Sequence, residues 1–229
     1  MRFVYSVKKL LIKISEYLRC KKSYSQDGED VVLHSFFEGK KHYKGIYVDI
    51  GAHHPYRFSN TCFYYKKGWK GINIDPTPGS MIPFKIFRQR DINLELGIGK
   101  VPGELTFYCF SDPALNTFDV KLAEERNVAP YYITRTIRVK VEPLGEILKR
   151  FLEKGIKIDF FTIDVEGFDF EVLQSNDWDN YSPDYILIED NNFKIHELRN
   201  SDIYNFLYKK GYGIIAVLKR TIIYTRLNL

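Results

Sequence analysis

Cysteine is scarce in this sequence: Cys20, Cys62 and Cys109 are the three among 229 residues. Their number is odd and no two stand as Cys-x-x-Cys, which excludes a disulfide framework and a zinc knuckle and fits a reducing, cytoplasmic setting. No apolar run approaches the roughly 18 residues of a membrane span, and lysines interrupt the N-terminal segment too early for a signal peptide. Internal repeats and low-complexity tracts are missing as well. So is a glycine-rich strand-to-helix fingerprint, which removes a nicotinamide-dependent reductase from consideration. Gly97-x-Gly99-x-x-x-Gly103 leads through Pro102 into a strand-like Leu105–Phe110 rather than into a helix, and reads as a hairpin turn.

What is present suffices for a sizeable core: 45% of residues are hydrophobic and 16% aromatic. The length fits one large domain or a domain with an extension. The net charge of +5 is unevenly placed. Residues 1–22 carry Arg2, Lys8, Lys9, Lys13, Arg19, Lys21 and Lys22 against Glu16 alone, a local +6 that leaves −1 for the rest. A nearly neutral body with a basic leader is no nucleic-acid surface. Within the leader, Phe3/Val4, Val7, Leu10/Leu11, Ile14 and Tyr17/Leu18 recur at helical spacing. It reads as an amphipathic basic helix, either packed on the domain or docked on a partner or the inner face of a membrane. The expected division is therefore 1–22 as that helix and 23–229 as one α/β domain.

That domain is built around Tyr47-Val48-Asp49-Ile50-Gly51-Ala52, a buried strand ending in an acid and a glycine turn. Three more segments repeat the pattern: Gly71–Asp75 before Pro76, Ile158–Asp164 before Val165-Glu166-Gly167, and Tyr185–Glu189 before Asp190-Asn191. About 25 residues separate Asp49 from Asp75, the length of one β-α-β unit. Ligands of open parallel sheets bind outside the carboxyl ends of the strands. Acids there, with no diphosphate loop, suit a ligand carrying an ammonium group and ribose hydroxyls. The last segments, Ile214–Leu218 and Thr221–Tyr224, read as an antiparallel pair closing the sheet. Residues 111–135 read as an inserted lid, and helices are expected over 78–90 and 196–210. A third strand is expected over 92–98.

Ser25-Gln26-Asp27-Gly28-Glu29-Asp30, Val48–Ala52, Ile74-Asp75-Pro76 and Ile163-Asp164-Val165-Glu166-Gly167 resemble the FkbM family of S-adenosylmethionine-dependent methyltransferases. The resemblance runs from about Ser23 to about Asn191, and Asp-Val-Glu-Gly is its most specific element. His53-His54-Pro55 departs from the Asn-x-Gly with which many relatives continue. The resemblance implies a class I Rossmann-like fold and O-methylation, often of a sugar in a bacterial surface glycan or a glycolipid-type precursor. Methylation of a small secondary metabolite and a non-catalytic binding module are the alternatives.

On this reading Asp49, Gly51 and Ala52 hold the methionine end of the cofactor, and Asp75 with Pro76 holds the ribose. Gln26 and Glu29 cover it, and Asn60 and Thr61 flank it. Asp164 and Glu166 stand beside the reacting methyl as orienting groups or base, and His53 is a further candidate base because imidazole titrates near neutrality. Asp164 with Asp190 and Asn191 resembles the metal set of catechol O-methyltransferase-like enzymes, where a hard cation such as magnesium lowers the pKa of a hydroxyl; strand register could place Glu189 at the pocket in place of Asp190, and helix capping is the ordinary role of these residues. Tyr64, Tyr65, Tyr131 and Tyr132 stack on a ligand or fill the core.

Overall fold

The computed structural model describes residues 2–40, 42–190 and 193–227. It opens with helix α1 (Arg2–Arg19), followed by α2 (Glu29–Ser35). Strand β1 (Ile46–Ile50) leads through α3 (Cys62–Lys66) to β2 (Lys70–Ile74), then α4 (Met81–Phe87) and β3 (Ile92–Leu94). A segment of β4 (Gly97–Ile98), β5 (Gly103–Phe110), α5 (Val120–Arg126) and β6 (Ile133–Glu142) follows. The chain then runs through α6 (Leu144–Phe151), β7 (Phe160–Ile163), α7 (Asp169–Gln174) and β8 (Tyr185–Glu189). It ends in α8 (Asp202–Lys209), β9 (Tyr212–Val217) and β10 (Thr221–Arg226).

Seven strands form one sheet in the order β3-β2-β1-β7-β8-β10-β9. The first five are parallel, and β10 is antiparallel to both neighbours. The two-residue period of the strands explains why both faces are covered. Val48, Ile50, Phe161, Ile163, Ile186 and Ile188 point to one side, where they bury against Ile147 of α6, Leu173 of α7 and Leu207 of α8. Tyr47, Phe160 and Leu187 point to the other, against Leu33 of α2, Tyr64 of α3 and Trp69. Tyr64 is therefore core and offers no stacking face.

Several expected boundaries move. The strand expected over 92–98 splits: β3 stays on the main sheet, whereas β4 leaves it to pair in parallel with β6. The Gly97–Gly103 turn joins no hairpin, because β4 and β5 flank β6 instead of each other. A strand of two residues carries too little pattern to choose a sheet, so tertiary pairing decides this. The helix expected over 78–90 shrinks to α4, since Gly79 lies at φ +85° just ahead of it. The one over 196–210 is a 3₁₀ turn at Leu198–Asn200 followed by α8, which Ser201 caps by accepting from Tyr204 N. No described helix is long and apolar enough to cross a membrane.

Candidate active site

The register sets the site. Ile50 pairs with Ile74 and Ile163, and Ile163 with Ile188. One residue further, Asp75, Gly51, Asp164 and Glu189 therefore stand in one row across the carboxyl edge of the sheet. Gly51 lies at φ +81°, a backbone region that glycine enters without penalty. Its amide and that of Ala52 both donate to Ile74 O, at 2.9 and 3.0 Å.

The row opens into a cleft lined by Gln26, Gly51, His53, Asp75, Asp164 and Glu166. Its outer wall comes from Phe107 of β5 and from Asn116 and Phe118 of the segment over 111–135. The segment read as an inserted lid thus lies over this cleft. Asn116 ties it to the sheet edge by donating to Thr77 Oγ1 at 3.1 Å.

On the β2 side, the Asp75 carboxylate accepts from His53 N at 2.9 Å and Thr77 N at 2.8 Å. Each oxygen keeps a further lone pair for a hydroxyl in the cleft. Pro76 lines the same wall. The His53 ring stands here too, and burial lowers its pKa, so it is neutral at physiological pH. His54 is a turn residue, its Nδ1 accepting from Tyr56 N and Arg57 N.

On the β7 side the carboxylates crowd. Oxygens of Asp164, Glu166 and Glu189 lie within 4.8 Å of one another. Burial and the charge of Glu166 push Glu189 up to about 8. Burial also raises Glu166, against the pull of Arg126, whose Nη1 is 2.6 Å from its Oε2. Asp164, whose side chain opens to the cleft, is raised by desolvation and by the charges of Glu189 and Glu166. Burial and mutual repulsion thus raise all three carboxyls above the ordinary carboxylate range.

The turn that presents it is fixed from both sides. Asp169 accepts from Val165 N and Gly167 N at 3.1 Å each, and Thr117 of the inserted segment donates to Glu166 O at 2.7 Å. Glu166 itself sits at φ +54°, a strained position for a side-chain-bearing residue.

Other expected site residues lie outside the cleft. Asp49 is buried beneath its floor, where Thr61 donates to it at 2.7 Å and burial lifts its pKa to about 6. Asn60 donates to Thr162 Oγ1 at 2.8 Å. Ala52 packs with Met81 and Phe84. Glu29 is buried and ties the preceding loop to β10, accepting from Asp27 N and Thr221 Oγ1. Of the expected metal set, Asp164 is in the cluster, Asp190 accepts from Ser201 Oγ at 2.8 Å, and Asn191 lies outside the described residues. The register gives the cluster Glu189 in place of Asp190, because β8 ends one residue earlier at the sheet edge. Three carboxylates so placed are the donors that would suit a hard divalent cation.

Arg88 and Arg126 had no signal of their own. Arg88 is buried and donates to Pro55 O, Tyr47 Oη, Thr61 O, Ser59 Oγ and Thr61 Oγ1, with Asp91 3.7 Å away. It holds the Ser59–Thr61 loop under Asp49.

A mostly parallel sheet with an antiparallel seventh strand, and an acid-lined cleft at its carboxyl edge, defines the class I methyltransferase fold. The sequence matches the methyltransferase FkbM domain over residues 49–214, and the chain belongs to that family. Among solved structures it is similar to the methyltransferase FkbM from Methylobacillus flagellatus KT, at 12% identity and a TM-score of 0.47, over 80% of this chain and 43% of that one. It is also similar to the precorrin-6y C5,15-methyltransferase from Geobacter metallireducens GS-15, at 13% identity and a TM-score of 0.42, over 86% of each chain. This chain thus spans less than half the length of the first of these. No curated protein matches the sequence.

Proposed function

We propose that the chain is an S-adenosylmethionine-dependent O-methyltransferase acting on a sugar hydroxyl of a surface glycan or its glycolipid-type precursor. The observation that carries the reading is the row of Asp75, Gly51 and Asp164 at the sheet edge, with a glycine between two acids. What S-adenosylmethionine supplies when bound is an electrophilic methyl on a positively charged sulfonium. The chain's groups fit it: Asp75 has free lone pairs for the ribose hydroxyls, Gly51 lets the ends of β1 and β7 close together beneath the cleft, and Asp164 and Glu166 place carboxyl groups where a cation would stand.

The remaining task is to receive the proton of the acceptor hydroxyl. An ordinary carboxylate is a poor base for a sugar alcohol, because its pKa lies far below that of the alcohol. Asp164 is the exposed member of a cluster whose other carboxyls hold its basicity up, so it is the group that accepts this proton. Behind it, the Arg126 guanidinium opposes the burial-driven rise at Glu166. His53 lies on the Asp75 wall and orients the cofactor end of the cleft. The sugar rests on the family resemblance.

The test is transfer of labelled methyl from S-adenosylmethionine to a panel of sugar nucleotides, lipid-linked sugars, catechols and amines. Label on a sugar oxygen, reduced about a hundredfold or more by Asp164→Asn with binding of S-adenosylhomocysteine retained, is the expected result. Label confined to catechols or amines would overturn the acceptor class.

A further inference from the structure

We propose that α1 docks the protein on an anionic bilayer surface. Every side chain from Lys8 to Glu16 is exposed, including Leu10 at 57%, Leu11 at 60%, Ile12 at 55% and Ile14 at 46%. Packing on the domain, one of the two expectations for this helix, is therefore not what this stretch does. Leu10, Leu11 and Ile14 fall on one side of the helix, whereas Lys9, Lys13 and Glu16 fall on the other, at 100° per residue. Three large aliphatic side chains in water are costly, and a lipid interface removes that cost while the lysines stay at the headgroups. The helix is too polar to cross the bilayer, so it lies along it.

Charge selects the occupant. With seven basic residues to one acid over 1–22, a second copy of the helix would bring like charge against like, and a neutral surface would gain nothing from the lysines. The body repeats the sign where the helix is tethered. Lys21 pairs with Glu38 at 2.6 Å, and Ser23 and Tyr24 donate to Asp30 of α2 at 2.7 and 2.8 Å. Around that tether Lys66 lies 5.0 Å over the Tyr24 ring, and Lys40 and Lys67 stand exposed beside one hollow. The part of the chain beyond residue 22 carries a net charge of −1, so this basic side is a local concentration. It would face the same bilayer.

The test is sedimentation of the full-length protein with vesicles of phosphatidylcholine alone or with about a third phosphatidylglycerol. Two variants accompany it, one with Lys8→Gln, Lys9→Gln and Lys13→Gln, the other with Leu10→Gln, Leu11→Gln and Ile14→Gln. All six positions are exposed, so melting temperatures should match the wild type. Expected are wild-type partitioning at least about tenfold stronger on the anionic vesicles, and a loss of about tenfold or more in each variant. No wild-type binding, or equal binding by the variants, overturns the proposal. So does a wild-type dimer that the leucine–isoleucine variant returns to monomer while vesicles stay unbound, which would assign the face to a second copy. None of these readouts depends on methyl transfer.

Discussion

The carbonyl oxygen of Asp164 lies where a side chain on Gly51 would begin: a Cβ built there would be 1.7 Å from it. Two parallel strand ends approach so closely that only glycine fits, and the φ of +81° independently demands it. The Gly51→Ala variant is expected to lose about 3 kcal/mol or more in chemical denaturation, because backbone must move at the centre of the site. A loss below 1 kcal/mol would mean that the two strand ends are free to separate.

The buried Arg88 carries a second expectation. It donates to five oxygens and offsets the charge of Asp91, which also accepts from Tyr47, Asn73 and Gly71. Arg88→Met keeps the length but strands those partners, so unfolding free energy should fall by about 3–5 kcal/mol. Asp49 should lose its order through Thr61, which bridges the two.

The crowded carboxyls give stability a pH dependence of definite sign. Glu189 is pushed up to about 8 and Asp49 to about 6, both above the roughly 4 of an unfolded chain. The native state thus binds more protons than the unfolded one across this window. Their contribution is intact below about pH 4 and is lost as pH rises through the native values. Glu189→Gln mimics the protonated form. It should match the wild type at pH 4 and exceed it by about 1–3 kcal/mol at pH 9, measured by urea denaturation at both values. A constant difference across pH would contradict the cluster.

At Glu166 the guanidinium of Arg126 opposes the rise caused by burial. With Arg126→Gln, Glu166 loses the guanidinium 2.6 Å away and should take up a proton at a higher pH than in the wild type. The pH profile of methyl transfer should shift alkaline, with binding of S-adenosylhomocysteine changed less than threefold. An unshifted profile would leave Arg126 a merely structural role.

The strand ends could be read from the chain because each depends on local pattern: apolar alternation, then an acid, then glycine or proline. Asp75 and Asp164 reach the cleft as that pattern implies. What could not be read depends on how strands align. The sequence leaves Glu189 and Asp190 as alternatives, and only the β7–β8 register selects Glu189; β4 likewise leaves the main sheet for a partner some 40 residues later in the chain. Arg126 comes from a helix 40 residues before Glu166, and Arg88, though three residues from Asp91, gains its burial and its other partners at Tyr47, Pro55, Ser59 and Thr61 only through the fold. The exposure of α1 was likewise open, since amphipathic spacing fits a packed helix and a docked one equally well.

On the proposed function, Asp75 at the carboxyl-edge cleft takes the ribose of S-adenosylmethionine. Calorimetric titration with S-adenosylhomocysteine, on the wild type and on Asp75→Ala, tests it most directly. The account predicts wild-type binding that weakens by about 1–3 kcal/mol in the variant, because buried ribose hydroxyls lose their acceptor. No binding by the wild type, or equal binding by both proteins, would contradict it.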